Sequence, residues 1–188
     1  MNKKGTLRTV IGDVTSPQRT DNNEVVIIPH CCNDLGIMGA GVALALRNKW
    51  PEVYQQYANS FLHGRVKLGD VTFIYISDNI YGNYMENPRI QTIICNMIGQ
   101  HGTVSKNNPK PVKYYALAEA MRKIATMCIN IKETWNWNGN HKPVIHCPKF
   151  GSDLAGGKWE FILDLIREIW LEHGIDVVVY EFEERRIL

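Results

Sequence analysis

No stretch of the 188 residues stays apolar long enough to span a membrane, and no two cysteines stand in a C-x-x-C pair. The first absence excludes a membrane-spanning helix. The second excludes the commonest spacing of structural zinc ligands, and no metal is expected. Cysteine is sparse and odd in number, with Cys31, Cys32, Cys95, Cys128 and Cys147. Several of these lie in apolar strand-like runs. They therefore read as reduced, mostly buried thiols of a cytoplasmic protein, not as a disulfide framework. An excess of one charge is missing too. The 21 basic and 19 acidic residues leave a net charge of +2, without the basic surplus that marks general attraction to DNA or RNA, although a small nucleotide stays possible. The opening MNKKGTLRTV carries two lysines but no apolar run behind them, so no secretory signal is expected there. Repeats, low-complexity tracts and long linkers are also absent. A hydrophobic content of 45% over this length suffices for one domain, 1–188, with a sizeable core.

What is present is an alternation of strand-like and helix-like runs. TLRTVIGD reads as a strand ending at Gly12-Asp13. EVVIIPH is continuously apolar and β-branched, the pattern of a strand buried on both faces. Gly39 to Trp50 and Pro51 to Leu62 read as helices, with Pro51 suited to a first turn. DVTFIYIS and QTIICNMIG are further strands, joined by the turn-rich DNIYGNYMENPR. In VKYYALAEAMRKIATMCINI, Leu117, Met121, Ile124, Cys128 and Ile131 fall on one helical face. PVIHCP is a short buried strand. GKWEFILDLIREIWLEHG repeats the helical pattern at Trp159, Ile162, Leu163, Ile166, Ile169 and Trp170, with Gly174 as its cap. IDVVVYEF closes as a strand. The alternation predicts a three-layer α/β/α sandwich around a central mixed sheet, mixed because some connections lack a crossover helix.

Ligands of such folds bind at the carboxyl ends of the strands. Three segments fall there: Gly12-Asp13-Val14-Thr15, the loop from Asn33 to Gly41, and FGSDLAGGKW from Phe150 to Trp159. The last two lead from a buried strand into a helix, where unpaired amides and the helix dipole favour an anion. Together they could clamp a diphosphate. The alternative for each loop is a tight turn that needs glycine for itself. Neither matches G-x-x-x-x-G-K-[ST] or G-x-G-x-x-G.

GDVT, PHCCN…MGAGVALALRNKWPEVY and CPKFGSDLAGGKWE, in this order, resemble the macrodomain family, most closely its ADP-ribose-1''-phosphate-processing branch. The likeness runs from about Val10 to Phe182. It implies a three-layer α/β/α sandwich that binds ADP-ribose or its derivatives. It assigns the adenine amino group to Asp13 and the adjacent ring nitrogen to the Val14 backbone. It gives the distal ribose to Asn33, and the diphosphate to the backbone around Met38, Gly39, Ala40, Gly41 and Val42. A second phosphate loop follows from Phe150, Gly151, Ser152, Asp153, Leu154, Ala155 and Gly156 to Gly157. Phe182 is the candidate aromatic against adenine, with Tyr180 the alternative.

One branch of the family uses a lysine where this chain has Gln100, paired with an aspartate in the last loop. Glutamine can neither form a Schiff base nor titrate as a nucleophile, which counts against that mechanism. The last loop, usually Gly-Cys-Gly or Gly-Thr-Gly in similar sequences, reads Gly151-Ser152-Asp153 here. Asp153 is the candidate general base, or else caps a helix starting near Gly156 or faces solvent. His30 is a candidate to exchange a proton, or else a satisfied buried imidazole. His101 faces the same choice in HGTVSKNN, which looks like a mobile loop. His146 reads as structural and Asp34 as a turn residue. Trp135 and Trp137 could stack bases or pack on a helix, and Lys106, Lys110 and Lys113 form a basic cluster near the presumed cleft.

The expected activity is hydrolysis at the distal ribose, foremost of ADP-ribose-1''-phosphate. The alternatives are removal of ADP-ribose from an ADP-ribosylated protein or nucleic acid, and non-catalytic binding. The protein is expected to act as a monomer without a cofactor.

Overall fold

A computed structural model describes residues 3–62, 64, 66–77, 90–134 and 141–182. Trp135 and Trp137 lie outside the described residues. The chain order is β1 (Leu7–Ile11), β2 (Glu24–Asn33), α1 (Gly41–Lys49), α2 (Pro51–Leu62), β3 (Val71–Ser77), β4 (Ile90–Gln100), α3 (Tyr114–Thr134), β5 (Lys142–Pro148), α4 (Trp159–Ile166) and β6 (Asp176–Glu181). A 3-10 turn spans Asp153–Ala155, and α4 runs on into a π turn, Arg167–Leu171. The strands form one six-stranded sheet in the order β1-β6-β5-β2-β4-β3. All neighbours are parallel except β3, which runs antiparallel to β4. The expected mixed sheet is present.

Strand alternation builds two cores, one on each face of the sheet. Val25 and Ile27 of β2, Ile93, Cys95 and Met97 of β4, and Val177 and Val179 of β6 pack with Leu117, Met121, Ile124 and Cys128 of α3 and Ile162 and Ile166 of α4. Their neighbours Val26, Ile28, Ile94, Ile98 and Val178 pack on the other face with Leu46 of α1 and Val53 and Tyr57 of α2. This is the three-layer sandwich the pattern predicts. Each of these fully buried aliphatic side chains contributes about 1.5–3 kcal/mol relative to exposure, which is why the periodicity was legible. The thiols of Cys32, Cys95, Cys128 and Cys147 are buried as expected.

Helix α1 lies inside its sequence-based limits, α2 matches them, and α3 starts two residues late and runs on to Thr134. The larger difference is α4, which starts at Trp159 and not near Gly156, because the 3-10 turn and Gly156 in the left-handed region (φ 70°) intervene. Asp153 therefore does not cap it. The π turn brings Trp170 into the core, where its Nε1–H donates to the Met121 carbonyl at 3.0 Å. At the amino edge of the sheet, Asp176 accepts from Thr6 N–H and Oγ1–H at 2.7 Å each and pairs with Lys142 at 2.6 Å.

Five parallel strands place the ends of β1, β6, β5, β2 and β4 along one edge of the sheet. All three suspicious loops lie on that edge.

Candidate functional site

At one end of the edge, the Gly12 amide donates to the Glu181 carbonyl at 3.0 Å. The turn after β1 thus sits beside the residue that precedes Phe182. The Asp13 carboxylate accepts the Thr15 amide through Oδ1 at 2.8 Å, an Asx turn that holds the side chain in place. Asp13 itself is exposed, while Val14 is buried in the core. Phe182 is 77% exposed. Tyr180, the alternative aromatic, is buried and committed. Its hydroxyl accepts the Gln18 amide at 3.0 Å and bonds His146 Nδ1 at 2.9 Å. His146 Nε2 in turn meets Glu24 Oε1 at 2.7 Å, with both side chains fully buried. His146 is structural, as expected.

In the middle of the edge, β2 ends in a bulge between Cys32 and Asn33, which brings Asn33 opposite Gln100 of β4. Bulges of this kind re-aim a side chain at a strand end. The Asn33 amide folds the following loop around itself. Its Oδ1 accepts from the Leu35 and Ile37 amides at 3.0 and 3.2 Å, and its Nδ2 donates to the Ile37 carbonyl at 2.7 Å. Asp34 ties this loop to the next. It accepts the Gly102 amide at 2.7 Å and pairs with His101 Nδ1 at 2.7 Å. Partial burial opposes the Asp34 charge, but the Gly102 amide and His101 outweigh it and hold the carboxyl below its usual range. The segment expected to be a mobile loop is laced by these bonds and by Asn108 Nδ2, which donates to the His101 and Thr103 carbonyls at 2.8 and 3.1 Å.

Helix α1 begins without a side-chain cap. Ala40, extended at φ −153°, holds the cap position, and there is no acidic residue in the first turn. The first helical bond runs from Leu44 N–H to the Ala40 carbonyl at 3.2 Å. The amides before Leu44 therefore precede any helical partner, and the dipole leaves their end positive. Arg47 donates to the Met38 carbonyl at 3.3 Å, and Lys49 reaches the Thr15 carbonyl, so α1 is tied to its own loop and to the turn after β1. The Met38 side chain is buried, and Val42 packs partly against the same core.

The glycines divide into two groups. A Cβ on Gly151 would stand 2.9 Å from Leu117 Cδ1, on Gly156 2.6 Å from the Pro109 carbonyl, and on Gly157 2.2 Å from the Gly151 carbonyl. These three are required by packing of the second loop on itself, on α3 and on the Pro109 segment. A Cβ on Gly39 would meet nothing nearer than Ile37 Cγ2 at 3.9 Å, and Gly39 lies outside the left-handed region. A Cβ on Gly41 would meet Leu154 Cδ1 at 3.8 Å, and Gly41 does adopt positive φ, 56°. Gly41 and Leu154 thus bring the two loops together. Gly36, at φ 75° against the Phe61 ring, serves its turn.

In the second loop, Phe150 is a core residue, edge-on to Trp159 and tilted against Trp170 at ring-centroid distances of 6.2 and 5.8 Å. Ala155 is buried and its carbonyl accepts the Val112 amide at 3.1 Å. Ser152 Oγ–H donates to the Lys149 carbonyl at 2.6 Å. Leu154 and Asp153 are exposed. Asp153 is the single non-glycine residue with positive φ among the described residues, at 44°. Its carboxylate has no partner there. Aspartate tolerates this conformation better than most side chains, and such outliers concentrate at functional sites.

His30 does not join this edge. It projects into the core beneath α2, 1% exposed. Its Nε2 lies 2.5 Å from Asn96 Oδ1, and the Asn96 amide nitrogen donates to the Val53 carbonyl at 3.3 Å. The amide oxygen must therefore accept, so Nε2 carries the proton. Burial pushes the imidazole down to about 4, against the pull of Asn96. Of the two readings of His30, the structure supports the satisfied buried imidazole, neutral in the core, and removes proton exchange at the loop edge. Two contributors escaped the sequence: Tyr57, beneath Asn33, and the Asp34–His101 clasp. Each joins residues far apart in the chain, so no local motif could show the contact.

No family model matches the sequence. Among curated proteins, the chain is 26% identical over 184 residues to the chromodomain-helicase-DNA-binding protein 1-like of Danio rerio, spanning 94% of this chain and 16% of that protein's length. It is 26% identical over 138 residues to the ADP-ribose 1''-phosphate phosphatase of Candida albicans, spanning 72% and 76% of the two chains. A solved Bacteroides thetaiotaomicron protein of unknown function is 30% identical, with a TM-score of 0.76 over 94% of this chain and 98% of that one. A macrodomain protein from Streptomyces coelicolor is 29% identical, with a TM-score of 0.69 over 93% and 98%. Thermosipho africanus DarTG in complex with ADP-ribose shares the fold at 16% identity, with a TM-score of 0.60 over 86% and 39%. The motif order, the mixed sheet with its loops on one edge, and these likenesses over nearly the whole chain agree, and the chain belongs to the macrodomain family.

Proposed function

We propose that this chain binds ADP-ribose or a derivative along the loop edge and hydrolyses a bond at the distal ribose, with ADP-ribose-1''-phosphate as the substrate. The observation that carries the proposal is Gly39. Neither a positive φ nor a neighbouring atom requires glycine there, and it lies immediately before an uncapped helix whose first turn lacks an acid. A backbone kept bare beside free amides suits an approaching diphosphate. The phosphatase of Candida albicans and the ADP-ribose complex of DarTG support the ligand class.

In this arrangement adenine takes the free Oδ2 of Asp13 and packs on exposed Phe182. The α1 amides and the backbone from Gly151 to Gly157 hold the diphosphate, and Asn33, with Gln100 opposite, meets the distal ribose. The lysine-dependent mechanism has no lysine at Gln100. A water-dependent one needs positioned donors around the leaving phosphate and a group to orient the water. Asp153 fills that second role. A carboxylate repels a diphosphate in the ground state unless it turns to solvent or takes part in the reaction; the exposed, positive-φ Asp153 is read as the second case.

The test is phosphate release from ADP-ribose-1''-phosphate, with ADP-ribosylated protein and ADP-ribosylated DNA assayed in parallel. Asp153→Asn keeps the shape but cannot accept a proton. It should lower kcat by roughly 10²–10⁴-fold, with ADP-ribose binding unchanged or tighter because the repelling charge is gone. Wild-type turnover by Asp153→Asn removes Asp153 as the base. Release of ADP-ribose from a macromolecule without phosphatase activity would favour the de-ADP-ribosylating alternative, and binding without any turnover the non-catalytic one.

A further inference from the structure

We propose that Tyr57 of α2 is the residue that positions Asn33, and that it fixes the Asn33 side chain as a single hydrogen-bond donor to the ligand. The inference rests on the reading above that Asn33 faces the distal ribose. Tyr57 is fully buried, and its ring meets the edge of Phe61 at 5.1 Å with the planes 84° apart. Phe61 in turn lies under Gly36, whose Cβ position would be 3.4 Å from Phe61 Cδ2. The two rings form a floor beneath the loop from Asn33 to Ile37.

The Tyr57 hydroxyl is the polar point on that floor. It donates to the Asn33 carbonyl at 2.5 Å and lies 3.1 Å from Asn33 Oδ1. One atom therefore faces both the backbone and the side chain of Asn33.

Counting donors and acceptors on the Asn33 amide gives the consequence. Oδ1 already faces the Leu35 and Ile37 amides and the Tyr57 hydroxyl. One Nδ2 hydrogen goes to the Ile37 carbonyl. A flipped amide would set its NH2 against two N–H donors and its oxygen against a carbonyl, so the orientation is fixed. An asparagine has two donors and one carbonyl oxygen. What remains for a ligand is one N–H and no acceptor. Asn33 is thereby selective for an oxygen presented as an acceptor, such as a ribose hydroxyl oxygen.

Calorimetry with ADP-ribose and with ADP, which lacks the distal ribose, tests this. Tyr57→Phe retains the ring and removes only the hydroxyl. It should weaken ADP-ribose by about tenfold and leave ADP within about twofold. The double variant Tyr57→Phe/Asn33→Ala should bind ADP-ribose no more weakly than Asn33→Ala alone, because Tyr57 acts through Asn33. Unchanged ADP-ribose affinity in Tyr57→Phe, equal losses for both ligands, or additive losses in the double variant would overturn the inference while leaving the ligand assignment intact. A wild-type chain that binds neither ligand overturns the ligand assignment and this inference with it. A measurement on the wild-type chain guards against a variant that fails to fold. In nuclear magnetic resonance spectra, ADP-ribose should shift one Asn33 side-chain amide proton and leave the one bonded to Ile37 in place. Two unmoved protons would also overturn the inference.

Discussion

Gly39→Ala separates a glycine kept for a ligand from a glycine kept for the fold. The new methyl would meet only Ile37 Cγ2, at 3.9 Å, an ordinary van der Waals distance, and the backbone there is not left-handed. Nothing in the protein opposes it. Where the native backbone accepts alanine, such a change stabilises by about 0.4–1 kcal/mol through the narrower unfolded ensemble. In a chain of this length that raises Tm by about 1–4 °C. The same methyl would stand between the Gly39 backbone and a diphosphate on the α1 amides. Loss of ADP-ribose affinity should be about 10–100-fold, or about 1.4–2.7 kcal/mol. Calorimetry of binding and a thermal melt on the same preparation read both quantities. Gly157→Ala is the opposite case. Its Cβ would lie 2.2 Å from the Gly151 carbonyl, a backbone atom that cannot step aside cheaply. It should lose about 1–3 kcal/mol of stability from overpacking. Gly41 is a poorer probe, because its φ of 56° would strain any side chain and mix both effects. If Gly39→Ala binds ADP-ribose like the wild type, no ligand approaches the backbone there, and the proposed function loses its main support. If Tm falls by several degrees, that glycine serves the protein instead.

Asp13→Ala should weaken ADP-ribose in calorimetry by removing the adenine contact, and AMP should weaken with it, since AMP keeps the adenine; unchanged affinity for both would remove that assignment. Asp176 predicts a pH dependence of stability at the opposite edge of the sheet. Partial burial opposes its charge, but Lys142 and the two Thr6 donors outweigh it and lower the carboxyl from 3.8 to about 2. A depressed carboxylate contributes stability above its unfolded value and loses it as pH falls through the folded value. The Tm difference between wild type and Asp176→Asn should therefore be constant above about pH 5 and shrink between the two values, 3.8 and about 2; a difference independent of pH would show that the carboxylate charge adds nothing.

The sheet and its covering helices were legible because burial imposes a period. Alternate residues of β2 serve opposite cores, and Leu117, Met121, Ile124 and Cys128 follow the helical stripe. The same rule favours the buried reading of His30: it follows Val26 and Ile28 at two-residue spacing, on the face that packs against α2. Phe150 was drawn into the loop by the glycines around it, yet Trp159 and Trp170 claim its ring. What sequence could not supply was the opposing surface. Gly39 and Gly157 are the same letter beside similar loops, and only the atoms across from them differ. A Cβ on the first would meet only a methyl at an ordinary 3.9 Å, and on the second a carbonyl at 2.2 Å. Asn33 shows the same limit in hydrogen bonding. Its place at a strand end could be read from the chain, but the number of donors it has left depends on Tyr57, Leu35 and Ile37 around it. A motif in this fold marks where the backbone and amides are offered, and the packing behind the motif decides how many of them a ligand can use.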